Sequence, residues 1–138
     1  MSLELIRSVI HKRVSDLILT YTPTYPLKVE FDNREVINTK AHSDPYLQVK
    51  LGFLGGEQGE LSDRPFHRFE GQLQLFACVP KNSGSAEAYK LLEHFYKGCH
   101  RSRLGPVLLF MSSTLATTSA DGWVKYGVAI PFVADVPG

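Results

Sequence analysis

This chain predicts an α+β fold: one mostly antiparallel or mixed sheet with two helices packed on it, in the order helix, strand, strand, strand, helix, strand, strand. Three observations carry the prediction. Residues 45–54 and 66–79 alternate apolar and polar side chains like two long strands, and residues 123–133 do so again. Two other stretches repeat apolar residues at three- and four-residue steps, the helical period. With 138 residues, 43% hydrophobic and 21% charged, the chain fits a single domain spanning 1–138 that buries its own core.

The first helix covers 3–19, where Leu3, Ile6, Ile10, Val14 and Leu17 share a stripe behind Ser2 as N-cap, with Glu4 at the positive end of the helix dipole. Pro23 and Pro26 stop it soon after Tyr21. Leu27, Val29 and Phe31 then alternate with Lys28, Glu30 and Asp32 as a short strand ending at the turn formers Asp32-Asn33, and residues 34–44 read as irregular. A long hairpin follows. Leu47, Val49, Leu51 and Phe53 share one face of its first strand, and Phe69, Leu73, Leu75, Ala77 and Val79 one face of its second. Such alternation buries one face and wets the other. Residues 55–64, glycine-rich and mostly acidic, have no core pattern and read as the hairpin loop, so removing 56–63 should leave the fold intact.

Pro80 ends the hairpin, and Ser85 caps a second helix with Glu87 in its first turn. Ala88, Leu91, Leu92 and Phe95 form its apolar stripe, Lys90, Glu93, His94 and Lys97 face water, and Gly98 breaks its C-terminus. Residues 107–111 are continuously apolar, like a central strand covered on both faces, and 114–121 read as a polar turn region. The closing strand puts Val124, Tyr126, Val128, Ile130 and Phe132 on one face.

Little in this sequence suggests chemistry. A formal charge of +1 gives no global pull toward nucleic acid or an anionic membrane. Cys78 and Cys99 are too few for a disulfide framework and read as reduced, buried thiols of a cytosolic protein. Charges at Glu4, Arg7, Lys12, Arg13 and Asp16 argue against a secretory leader, and no apolar run approaches membrane-spanning length. The histidines 11, 42, 67, 94 and 100 lack metal-ligand spacing, since His94 and His100 do not share a helix face and Cys99 points away from His100. Gly55, Gly56 and Gly59 do not make a phosphate loop, because Glu57 and Glu60 stand where the anion would sit and no Gly-Lys-Ser/Thr follows. Glu70 falls on the outward face of its strand, so it is solvated rather than poised for acid–base work. A basic cluster of Lys97, His100, Arg101 and Arg103 complements the negative end of a helix dipole, or else contacts an acidic protein surface or nucleic acid. No catalytic residue and no cofactor is expected.

The chain resembles the tail terminator (tail-completion) proteins of long-tailed bacteriophages along nearly its whole length. The resemblance lies in the order and spacing of local sequences. A short N-terminal helix and a proline-containing link precede Val29-Glu30-Phe31-Asp32-Asn33, then Pro45-Tyr46-Leu47-Gln48-Val49 and a strand ending at Pro80. Gly84-Ser85-Ala86 opens a helix, and Gly122-Trp123 precedes a closing strand through Ile130-Pro131-Phe132. The resemblance implies a small α/β subunit that forms a hexameric ring on the finished tail tube, stops polymerisation and offers a surface for joining the head. It implies no active site. The expected partners are further copies of the chain, the tail tube protein and a head–tail connector protein, with no membrane and no sequence-specific nucleic acid. The expected location is the virion tail, and the host cytoplasm during assembly. By analogy of position, Glu57, Glu60, Asp63 and Arg64 form a subunit or tube contact; Lys97, Arg101 and Arg103 are a candidate basic contact patch on their charges alone. The alternatives are another neck or head-completion protein, or a small α+β ligand-binding domain or enzyme with scattered pocket residues.

Overall fold

A computed structural model of the protein describes residues 2–21, 27–31, 44–58, 66–82, 84–120 and 122–137. Among these residues there are two helices, α1 (Ser2–Thr20) and α2 (Ala86–Cys99). Three strands lie between them: β1 (Lys28–Glu30), β2 (Tyr46–Gln58) and β3 (Phe66–Pro80). After α2 come β4 (Arg103–Leu104), β5 (Val107–Leu109), β6 (Ser113–Thr114), β7 (Thr118–Ala120) and β8 (Trp123–Pro137). The strands form one mixed sheet in the order β1-β2-β3-β8-β5-β4, with β6 and β7 also paired to β8. Among the described residues only β1 runs parallel to its neighbour, and the other pairs are antiparallel. The α+β class, the two helices and the mixed sheet are those the sequence predicts.

Alternation decides which face of the sheet is covered. Leu47, Val49, Leu73, Leu75, Ala77, Val79, Val128, Ile130, Phe132 and Ala134 point inward and pack with Ile6, Ile10 and Val14 of α1 and Ala88, Leu91, Phe95 and Cys99 of α2. The four-residue steps among Ile6, Ile10 and Val14 keep these three fully buried side chains on one stripe. Leu3, at the end of that predicted stripe, is instead 42% exposed. The other sheet face carries Gln48, Lys50, Gln72, Gln74 and Lys125, with Phe76 among them. Lys125 donates to the Gln48 side-chain oxygen at 2.8 Å, and the Gln48 amide donates to the nearly buried Glu30 carboxylate. This polar row satisfies a carboxylate that would be costly to bury alone.

Several predicted boundaries move. Backbone pairing of β2 with β3 extends through Gln58 opposite His67, so residues 55–58 are strand rather than loop, and the register shifts between Phe53 and Gly55. Deleting 56–63 would therefore cut into the ladder. Ser85 starts α2 through its carbonyl, which accepts from the Tyr89 amide at 3.0 Å, but its side chain makes no capping bond. Gly98 does not break the helix. It lies within α2, where a Cβ would come 2.4 Å from Leu17 Cδ2, so the Leu17 side chain of α1 packs into the space that glycine leaves.

The largest departure concerns residues 107–120. The predicted central strand ends at Leu109, with Leu108 half-buried and Phe110 and Met111 exposed by 44% and 57%. The predicted turn region forms β6 and β7 instead. Together β5, β6 and β7 are one interrupted strand running along β8. From Leu109 to Ser113 it spends four steps where β8 spends three, and it does so again from Thr114 to Thr118. Each extra residue makes a bulge that breaks the alternation a sequence reading relies on.

Candidate interaction surfaces

Of the acidic loop residues, Glu60, Asp63 and Arg64 lie outside the described residues. Glu57 is placed by its backbone alone, opposite Arg68 near the end of the β2–β3 ladder. The β3–β8 ladder accompanies it there and carries an exposed ion pair, Arg68 Nε to Asp135 Oδ1 at 2.8 Å. That guanidinium holds the Asp135 carboxyl below its ordinary range.

The basic cluster divides. Lys97 in the last turn of α2 is bound to Glu93 one turn earlier. His100 sets its ring edge-on to Tyr96 at 5.3 Å. The C-terminus of α2 receives Arg13 from α1 instead, whose Nη1 donates to the Gly98 carbonyl at 3.3 Å. Arg101 and Arg103 are left exposed, and no ion pair involves either among the described residues. They stand on a rigid ribbon. The Arg101 amide donates to the Phe110 carbonyl at 2.9 Å, and Ser102 and Leu109 exchange both backbone bonds at 3.1 and 2.8 Å. The sharp exit from the helix costs Arg101 a left-handed backbone, φ 54°.

The sequence reading missed a cleft. It has a volume of about 480 Å³ and lies between α2 and the interrupted edge strand. Its helix wall is Tyr89, Leu92, Glu93 and Tyr96; its sheet wall is Tyr126, Gly127 and Val128 of β8 with Ser112, Ser113, Thr114, Leu115 and Thr117 from the bulged edge. The Tyr89 and Tyr126 rings lie 5.3 Å apart, tilted by 56°. A Cβ on Gly127 would come 2.7 Å from Phe76 and 3.2 Å from Leu115, so the absent side chain makes room for the Phe76 ring and Leu115 on the sheet face away from α2. One signal was available: Tyr89, Glu93 and Tyr96 recur at helical spacing beside the apolar stripe rather than within it. Nothing in the sequence brings the Ser/Thr run to meet them.

Neither cysteine is activated. Both thiols are buried and free, Cys99 in the core against α1 and Cys78 on the far side of the sheet beside Tyr46. Burial pushes the Cys99 thiol up to about 12, and burial also raises that of Cys78. Neither is primed as a nucleophile. Among the described residues no group of three or more His, Cys, Asp or Glu side chains is arranged to hold a metal ion, and no helix is long and apolar enough to cross a membrane.

No protein-family model matches the sequence, and no curated protein does. Solved structures do match. One that carries no functional name aligns over 100% of this chain and 97% of its own, with a TM-score of 0.65 and 21% identity. A likeness at that identity is one of fold, and here it extends end to end.

Proposed function

We propose that this chain is a structural subunit of a bacteriophage tail, acting by contact: copies close into a ring, six by analogy, on the tail tube, end its polymerisation and present a surface to the head–tail connector. The observation that carries the reading is the inequality of the two sheet edges. One edge is β1, three residues paired parallel to β2. The other is β4 and the bulged strand along β8. A cyclic ring joins two unlike patches of one subunit, and unlike edges on opposite sides of one sheet supply them. The order and spacing of the local sequences support the same reading.

Electron microscopy of tails assembled with and without the protein tests it. Over-long tubes in its absence are the expected result, and tubes of unchanged length would overturn it. The tyrosine-lined cleft favours a second reading, a small ligand-binding domain, because its volume lies in the roughly 300–1,000 Å³ range of ligand pockets. Normal tails together with a small molecule retained through purification would move the assignment there.

A further inference from the structure

The cleft and the β4–β5 ribbon are opposite in chemistry. Three tyrosine rings, the hydroxyls of Ser112, Ser113, Thr114 and Thr117 and the Glu93 carboxylate line the cleft, and no cation among the described residues does; Lys97 pairs with Glu93 from the neighbouring turn. Aromatic faces attract cations, and a carboxylate among them favours a guanidinium that can bond it through two donors. The ribbon offers such groups. Arg101 and Arg103 are exposed without an acidic partner among the described residues, and the exposed Phe110 and Met111 adjoin them. Tyrosine, arginine, methionine and phenylalanine are the residues that enrich protein interfaces.

The two halves do not meet within one molecule. The ribbon pairs with β8 at residues 132–134, whereas the cleft uses residues 126–128. Neither Arg101 nor Arg103 lines the cleft of its own molecule. We propose that the cleft of one copy receives the β4–β5 ribbon of a second copy, with Arg101 and Arg103 entering among Tyr89, Tyr96 and Glu93. The inference deepens the ring reading and rests on it: knob and hole are different patches, so the contact is head-to-tail and leaves a free half on each side.

Sedimentation of the full chain from micromolar to millimolar concentration tests the contact. Wild type should self-associate. A ribbon variant, Arg101→Gln with Arg103→Gln, and a cleft variant, Tyr89→Ala with Glu93→Gln, should each associate at least about tenfold more weakly. All four side chains are exposed, so the thermal melt of the ribbon variant should match wild type and that of the cleft variant should fall by only a few degrees. Mixed in equal amounts, the variants share one intact cleft and one intact ribbon and should form a dimer that grows no further. A wild type that stays monomeric, a variant that associates like wild type, or a mixture that stays monomeric each overturns the proposal. A mixed dimer alongside tails that need no terminator would keep the contact and reject the tail reading. Over-long tails alongside a monomeric mixture would do the reverse.

Discussion

On one flank of α2, Gly98 lies so close to the Leu17 side chain that any added side chain would have to displace it; on the other, Tyr89, Glu93 and Tyr96 stand around a cleft of about 480 Å³. The closed flank is also tied by polar bonds. Arg13 reaches the Gly98 carbonyl, and the His94 ring lies 2.8 Å from the Leu17 carbonyl and 3.1 Å from the Thr20 hydroxyl. The open flank has one ring pair across it and an ion pair along it. The same helix therefore holds the fold together with one side and keeps surface available with the other. Small residues and cross-helix bonds do the first; large, half-exposed rings and short hydroxyl side chains do the second.

Filling the closed flank should have the largest effect. Gly98→Val places methyl groups where Leu17 already sits, and urea unfolding should show a loss of about 1–3 kcal/mol. Gly98→Ala should cost less, because alanine gains about 1 kcal/mol of helix propensity over glycine. The comparison predicts coupling as well. Leu17→Ala empties the space that the new side chain needs, so the double variant should be more stable than the sum of the single costs by about 0.5–3 kcal/mol. Strictly additive costs would mean that α1 and α2 are not held by this approach.

The pH dependence of the closed flank comes next. Burial raises the Cys99 thiol from 9.0 to about 12 in the folded chain. A raised folded value means that the unfolded chain releases the proton first as pH rises. The contribution of the neutral thiol is therefore complete below about pH 9 and is lost progressively toward about pH 12, at up to about 1.4 kcal/mol per pH unit. Cys99→Ala removes this component and leaves a small cavity. The stability advantage of wild type over Cys99→Ala should shrink as pH climbs through that window. An advantage constant with pH would place the thiol in contact with water, and the closed flank would not be closed.

How much of this was legible depends on what period each segment keeps. Ile6, Ile10 and Val14, and Leu73, Leu75 and Ala77, follow one period without interruption, so their faces were read correctly. Gly98 was misread because a glycine near a helix end has two uses, stopping the chain and admitting a neighbour, and only the position of Leu17 separates them. Residues 107–120 were misread because two bulges reset the alternation, leaving Phe110 and Met111 outside after a run that looked internal. The basic residues stand together in the sequence, yet Lys97 belongs to Glu93 while Arg101 and Arg103 belong to a ribbon whose pairing is set by residues 108–110. The cleft joins α2 to that bulged edge, so it inherits the least legible segment of the chain.

The smallest expected effect on stability falls on the open flank. Tyr89 is 55% exposed and its main ring neighbour is Tyr126. Tyr89→Ala removes that ring pair and little buried surface, so the loss in urea unfolding should be at most about 1 kcal/mol. Tyr89→Phe keeps the ring pair and should be indistinguishable from wild type in the same measurement. A loss from Tyr89→Ala as large as that from Gly98→Val would show that the ring closes a packed interior, and the two flanks of α2 would then do the same job. A small loss leaves Tyr89 as a side chain whose ordering and size are unexplained by the folded monomer, which is the condition for a residue kept for a contact made elsewhere.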